Sequence, residues 1–75
     1  MTAKEMFEKL GFEYWCSRNK KTITYELDGS WTYVAFLCDK KEIESTIEIE
    51  WYPKMDEINK AIHQQLKELG WLTEE

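Results

Sequence analysis

Two glycines divide this chain. Each sits in a charged-Leu-Gly-aromatic stretch, Glu8-Lys-Leu-Gly-Phe12 near the start and Lys67-Glu-Leu-Gly-Trp71 near the end. Helices commonly stop with glycine at C′ in the left-handed conformation, and an apolar C″ residue then folds back onto C3. With Gly11 and Gly70 at C′, Phe12 and Trp71 fall at C″, and Phe7 and Leu66 fall at C3. Both stretches therefore read as Schellman stops. The sequences around them share nothing further, which argues against an internal repeat. Trp71 and Leu72 are expected to fold back and seal a helix–sheet core.

A helix precedes each stop. Thr2-Ala-Lys-Glu5 is a capping box, in which the Thr2 hydroxyl and the Glu5 carboxylate satisfy orphan amides of the first turn. Ala3, Met6, Phe7 and Leu10 recur at helical spacing, so residues 3–10 are predicted as a short helix. Met55, Ile58, Ile62, Leu66 and Leu69 form a second stripe that predicts a helix over 55–69, with Pro53 just ahead of it.

Between the helices, β-branched and aromatic runs are broken by turn residues. Strands are predicted over 12–17, 22–27, 31–38 and 43–51, linked at Arg18-Asn-Lys-Lys21, Asp28-Gly29 and Asp39-Lys-Lys-Glu42. Asp28-Gly29 reads as a type I′ hairpin, which needs positive φ at both central residues. Tight hairpins would pair Cys16 with Ile23, Tyr14 with Tyr25, Ile23 with Val34, Tyr25 with Thr32, Val34 with Ile47 and Cys38 with Ile43. Opposed residues share a face. One face then collects Phe12, Tyr14, Cys16, Ile23, Tyr25, Leu27, Val34, Phe36, Cys38, Ile43, Ile47 and Ile49. The expected fold is α+β: one domain over 1–75, in the order α-β-β-β-β-α, with both helices packed on one face of a four-stranded antiparallel meander.

The opposite face would carry Glu13, Trp15, Thr24, Glu26, Trp31, Tyr33, Leu37, Glu44, Thr46, Glu48 and Glu50. Trp15, Thr24, Tyr33 and Glu48 are expected in one row, with Trp31 beside Glu26 and Glu50. Cross-strand packing alone would account for these rings. Large aromatics are also enriched at the centres of protein interfaces. The candidate contact set is Trp15, Trp31, Tyr33, Leu37, Glu26, Glu48 and Glu50. Aromatic sheets can stack single-stranded bases, but this carboxylate rim would repel phosphates. The turns at 18–21 and 39–42 should share one end of the sheet. They carry Arg18, Lys20, Lys21, Lys40 and Lys41, a basic end able to engage phosphate or an acidic partner, or simply to keep the sheet edges solvated.

Composition narrows the chemistry. The 75 residues carry a formal charge of −5, against general affinity for nucleic acid or anionic membrane. Aromatics at 15% and hydrophobics at 43% suffice for a small core, worth about 3–5 kcal/mol of net stability. No apolar run has the length of a membrane span and no signal-peptide pattern opens the chain, so a cytoplasmic protein is expected. Cys16 and Cys38 are too few for a disulfide framework and lie on non-adjacent strands, which predicts free thiols facing the core. His63 is the sole histidine, and no zinc-ligand spacing includes it. There is no phosphate loop and no Ser/His/Asp grouping, and each of the three glycines is used by a helix end or hairpin. No enzyme, cofactor or metal site is expected.

The opening MTAKEMFEKLGFEY and the closing INKAIHQQLKELGWL resemble the ends of short proteins encoded by phages, prophages and integrative elements of Gram-positive bacteria, mainly Firmicutes. The likeness implies a genomic setting, not a mechanism, and no catalytic residues come with it. The helix–strands–helix order also resembles the double-stranded-RNA-binding domain in topology. Such domains need basic residues at the start of the second helix, where Lys54-Met-Asp-Glu57 offers one base against two acids.

The sequence therefore predicts a small acidic accessory protein that binds a host or phage protein through its aromatic and acidic sheet face. A homo-oligomer using that face or the edge of strand 43–51 is the alternative. Weak nucleic-acid or phosphate contact through the basic end is a third.

Overall fold

The computed structural model describes residues 1–71. Within them the order is α1 (Ala3–Lys9), β1 (Glu13–Cys16), β2 (Thr22–Glu26), β3 (Tyr33–Leu37), β4 (Glu42–Thr46), a 3-10 helix (Ile49–Lys54) and α2 (Met55–Leu69). The strands form one antiparallel sheet in the order β1-β2-β3-β4. This is the expected α+β meander between two helices.

Both helix stops are Schellman motifs. Phe12 N–H donates to the Phe7 carbonyl and Gly11 N–H to the Glu8 carbonyl, each at 3.0 Å. Trp71 N–H reaches the Leu66 carbonyl at 3.0 Å and Gly70 N–H reaches Lys67 at 3.1 Å. Gly11 and Gly70 have φ of 100° and 76°. The Phe7 and Phe12 rings meet edge to face at 5.4 Å, and Trp71 folds back to within 6.4 Å of the Phe36 ring. Leu72 lies outside the described residues. At the other end of α1, Glu5 N–H donates to the Thr2 hydroxyl and Thr2 N–H to the Glu5 carboxylate. Nothing crowds a Cβ built on Gly70, so Gly70→Val is opposed by the left-handed backbone alone. The expected loss is about 1–2 kcal/mol, readable as a lowered urea midpoint at unchanged slope.

The helices cover one side of the sheet. Phe7, Phe12, Tyr25, Val34, Phe36, Ile58 and Ala61 form the buried cluster. Phe7 of α1 stacks on Tyr25 of β2 at 4.0 Å and 14°. The Tyr25 hydroxyl donates to Gln65 Oε1 of α2 at 2.5 Å, tying sheet to helix inside the core. α1 reaches β1, where Lys4 Nζ lies 5.5 Å from the Tyr14 ring centroid, but helix cover stops short of β4. Tyr14 and Ile43, expected inside, are exposed, and every residue of β4 is exposed. Cys16 and Cys38 are free, half-buried thiols, and burial pushes the Cys38 thiol above the ordinary range.

The later hairpins differ from expectation. The first hairpin has the expected register, Tyr14 opposite Tyr25 and Cys16 opposite Ile23. The second and third are each displaced by two residues: Tyr25 faces Val34, Ile23 faces Phe36, and Phe36 faces Ile43. The second turn spans four residues, not two. Ser30 N–H closes onto the Leu27 carbonyl, and Gly29 has positive φ whereas Asp28 does not, so the turn is not type I′. β3 therefore begins at Tyr33, and Trp31 stays in the loop.

The fourth strand is also shorter than the expected 43–51. It ends at Thr46 because Thr46 lies opposite Tyr33, the first residue of β3, and no partner remains beyond it. The chain then turns into the 3-10 helix. Ile47 and Trp51 pack on the core, while Ile49, expected inside, is 76% exposed. The Glu48 carboxylate accepts from Ser30 Oγ at 2.6 Å, and Glu48 N–H donates to the buried Thr32 hydroxyl at 3.2 Å. These bonds fasten the chain leaving β4 to the β2–β3 turn.

Candidate binding face

The side of the sheet away from the helices is built from three rows. Glu13, Glu26, Tyr33 and Thr46 form the first; Trp15, Thr24, Ala35 and Glu44 the second; Thr22, Leu37 and Glu42 the third. Trp15 is thus aligned with Thr24 as expected, but the row continues to Ala35 and Glu44, not to Tyr33 and Glu48. Tyr33 lies directly opposite Glu26 instead. Ala35, small and flanked by larger neighbours, is buried even on this outer face.

Of the seven expected contact residues, four occupy outward strand positions on this side, and a fifth, Trp31, lies in the loop before β3. Trp15 is 57% exposed, Tyr33 and Leu37 are half-buried, and Glu26 is exposed. Trp31 is 81% exposed in the loop that leads into Tyr33, the largest exposure of any aromatic among the described residues. Glu48 and Glu50 leave the set. Glu48 holds the β2–β3 turn from the chain after β4, and Glu50 lies on the 3-10 helix. The reason is the two-residue displacement of register, which ends the strand before either residue.

Glu13 and Glu44 gain importance in exchange. Glu13 lies directly opposite Glu26, so two exposed carboxylates face each other across β1 and β2. Like charges in that position destabilise a sheet. The outward strand positions hold four glutamates, Glu13, Glu26, Glu42 and Glu44, and no lysine or arginine. The ion pairs among the described residues, Lys4–Glu8 and Lys54–Glu57, are both on or beside the helices. The face offers aromatic rings and carboxylates without ion-pair partners among the described residues.

The meander brings the expected basic end together. The turns holding Arg18, Lys20 and Lys21 and holding Lys40 and Lys41 share one end of the sheet, where Cys38 N–H donates to the Lys21 carbonyl at 2.7 Å. All five side chains are exposed, and Lys20 and Lys41 have φ of 58° and 55°. One further feature escaped the sequence. A cleft of about 420 Å³ opens between α1, the 3-10 helix and α2, lined by the apolar Met1, Met6, Leu10 and Trp51 and by Lys9, Lys54, Lys60 and Glu57, the last ion-paired to Lys54. Its lining comes from three separate segments, so no local pattern announces it.

Among the described residues no three His, Cys, Asp or Glu side chains converge as metal ligands, and no helix is long and apolar enough to cross a membrane. Comparison with protein-family models, with curated proteins and with solved structures gives no match.

Proposed function

We propose that this chain is a small, non-enzymatic accessory protein of a phage or mobile element, working in the cytoplasm of a Gram-positive host by binding another protein through its outer sheet face. The observation that carries this reading is the exposure of Trp15, on the side of the sheet that the helices leave bare, and of Trp31 in the loop that leads into β3 on that sheet. Two large rings held in water by a 75-residue domain are a poor use of scarce apolar area, unless something else covers them. The genomic setting rests on the resemblance of the chain's two ends to short phage and prophage proteins.

The test is affinity capture from a Gram-positive host lysate with the wild-type chain and with Trp15→Ser/Trp31→Ser. The double variant is expected to lose the captured protein while keeping the wild-type far-ultraviolet circular dichroism. Retained capture would remove the face from the reading, and loss of the fold would return both rings to a structural role.

β4 favours a second reading, assembly with another copy, because its outer edge is unpaired and its residues are exposed. Antiparallel self-pairing centred on this strand opposes Glu44 to Glu44 of the second copy, a like-charge contact that weakens it. Light scattering that shows a monomer at high concentration would dismiss it.

A further inference from the structure

Building on the proposed protein-binding role of the outer face, we infer that the partner presents an arginine-rich surface, and that a guanidinium seats between Glu13 and Glu26 against the Trp15 ring. The charge pattern carries this. Every charged residue facing outward on the strands is a glutamate, none of them is in an ion pair, and two of them oppose each other directly. A cation placed over the pair offsets two like charges held at directly opposed strand positions.

The rings specify which cation. Opposed side chains on neighbouring strands have Cβ atoms about 4.5–5.5 Å apart, and same-face residues along a strand are about 6.5 Å apart. Glu13, Glu26 and Trp15 thus hold adjacent positions on one face, within the span of a single guanidinium group. Tyr33 extends the patch beyond Glu26, and exposed Trp31 stands at the loop before it. A guanidinium matches such a site twice over. Its planar fork donates to two carboxylates at once, and its face stacks on an indole. A lysine ammonium offers neither the fork nor the stack. The net charge of −5 adds long-range attraction for a basic surface.

The probe is a 12-residue peptide of alternating arginine and glycine, with the lysine–glycine counterpart as comparison. Titration is followed by quenching of tryptophan fluorescence at moderate salt. The arginine peptide is expected to bind more tightly than the lysine peptide, and Glu13→Gln/Glu26→Gln to weaken it at least about tenfold. Asp39→Asn/Asp56→Asn removes the same charge from exposed positions off this face and should leave the affinity within about twofold. The Glu13→Gln/Glu26→Gln variant should also melt no lower than wild type, since a repulsion is removed.

Equal weakening by both double variants, equal affinity for the two peptides, or no binding would overturn the inference. In lysate capture the two levels separate. If Glu13→Gln/Glu26→Gln retains a partner that Trp15→Ser/Trp31→Ser loses, the face binds protein but not through arginine. If the tryptophan variant keeps the partner, the underlying reading fails.

Discussion

Phe7→Ala should leave the chain without a cooperative folded state at 25 °C. Phe7 is fully buried, stacks on Tyr25, and meets the edges of Phe12 and Phe36 at 5.4 and 6.5 Å. Deleting a buried phenyl ring costs about 3–5 kcal/mol, as much as a domain of this size holds in total. The loss is hard to absorb because the same ring makes the C″–C3 contact of the first helix stop. A seven-residue helix has little stability of its own and depends on that packing. The measurement is a urea titration by near-ultraviolet circular dichroism, in which the variant shows no native baseline. Phe7→Leu keeps most of the volume and should retain a transition, lowered by about 1–2 kcal/mol. A Phe7→Ala variant that unfolds cooperatively near the wild-type midpoint would refute this account of the core.

Tyr25→Phe ranks second. The hydroxyl it removes is the donor to Gln65 Oε1, and Gln65 is only 5% exposed, so the amide oxygen is left buried without a partner. An orphaned buried acceptor costs about 1–3 kcal/mol. Gln65→Leu alone should cost a similar amount by orphaning the hydroxyl. Tyr25→Phe/Gln65→Leu removes both polar groups and should recover much of the loss, a coupling that a double-mutant cycle measures directly. The pair also shapes the alkaline limit. Burial, reinforced by the nearby Tyr14, pushes the Tyr25 phenol well above the usual tyrosine range. Its folded pKa is raised, so the folded state keeps a proton that the unfolded chain releases near pH 10. The stabilisation is complete below that pH and falls as pH rises beyond it. Stability in Tyr25→Phe should be lower at pH 8 and decline less steeply above pH 10.

The parts legible in the sequence are those decided by neighbours a few residues apart. The Thr2–Glu5 box and both glycine stops involve residues within five positions of each other, so their chemistry can be read from spacing alone. The register of the first hairpin was legible for a similar reason. The other two registers depend on loop length. Ser30 and Trp31 look like strand because Trp and β-branched residues follow, yet they belong to a four-residue turn in which only Gly29 adopts positive φ. The resulting slip is even. It preserves which face each side chain occupies, so Trp15, Glu26, Tyr33 and Leu37 remain where expected while their partners change. The segment after β4 illustrates a different limit. Ile43, Ile47 and Ile49 suggest period two, but Ile47, Trp51 and Met55 are four apart and already follow a helical period. Only the absence of a partner beyond Tyr33 decides between them. The cleft between α1, the 3-10 helix and α2 depends wholly on tertiary placement.

Glu48 was expected at the contact surface and instead holds the turn from behind. Its side chain takes the Ser30 hydroxyl, its amide meets Thr32, and the residue between those two anchors is Trp31. The indole most available to a partner is therefore carried on a backbone tied down on both sides. A ring on a loose loop would surrender conformational freedom on docking, at about 1–2 kcal/mol for each backbone residue fixed. Here part of that backbone ordering has already occurred during folding, which lowers the cost of covering the Trp31 ring.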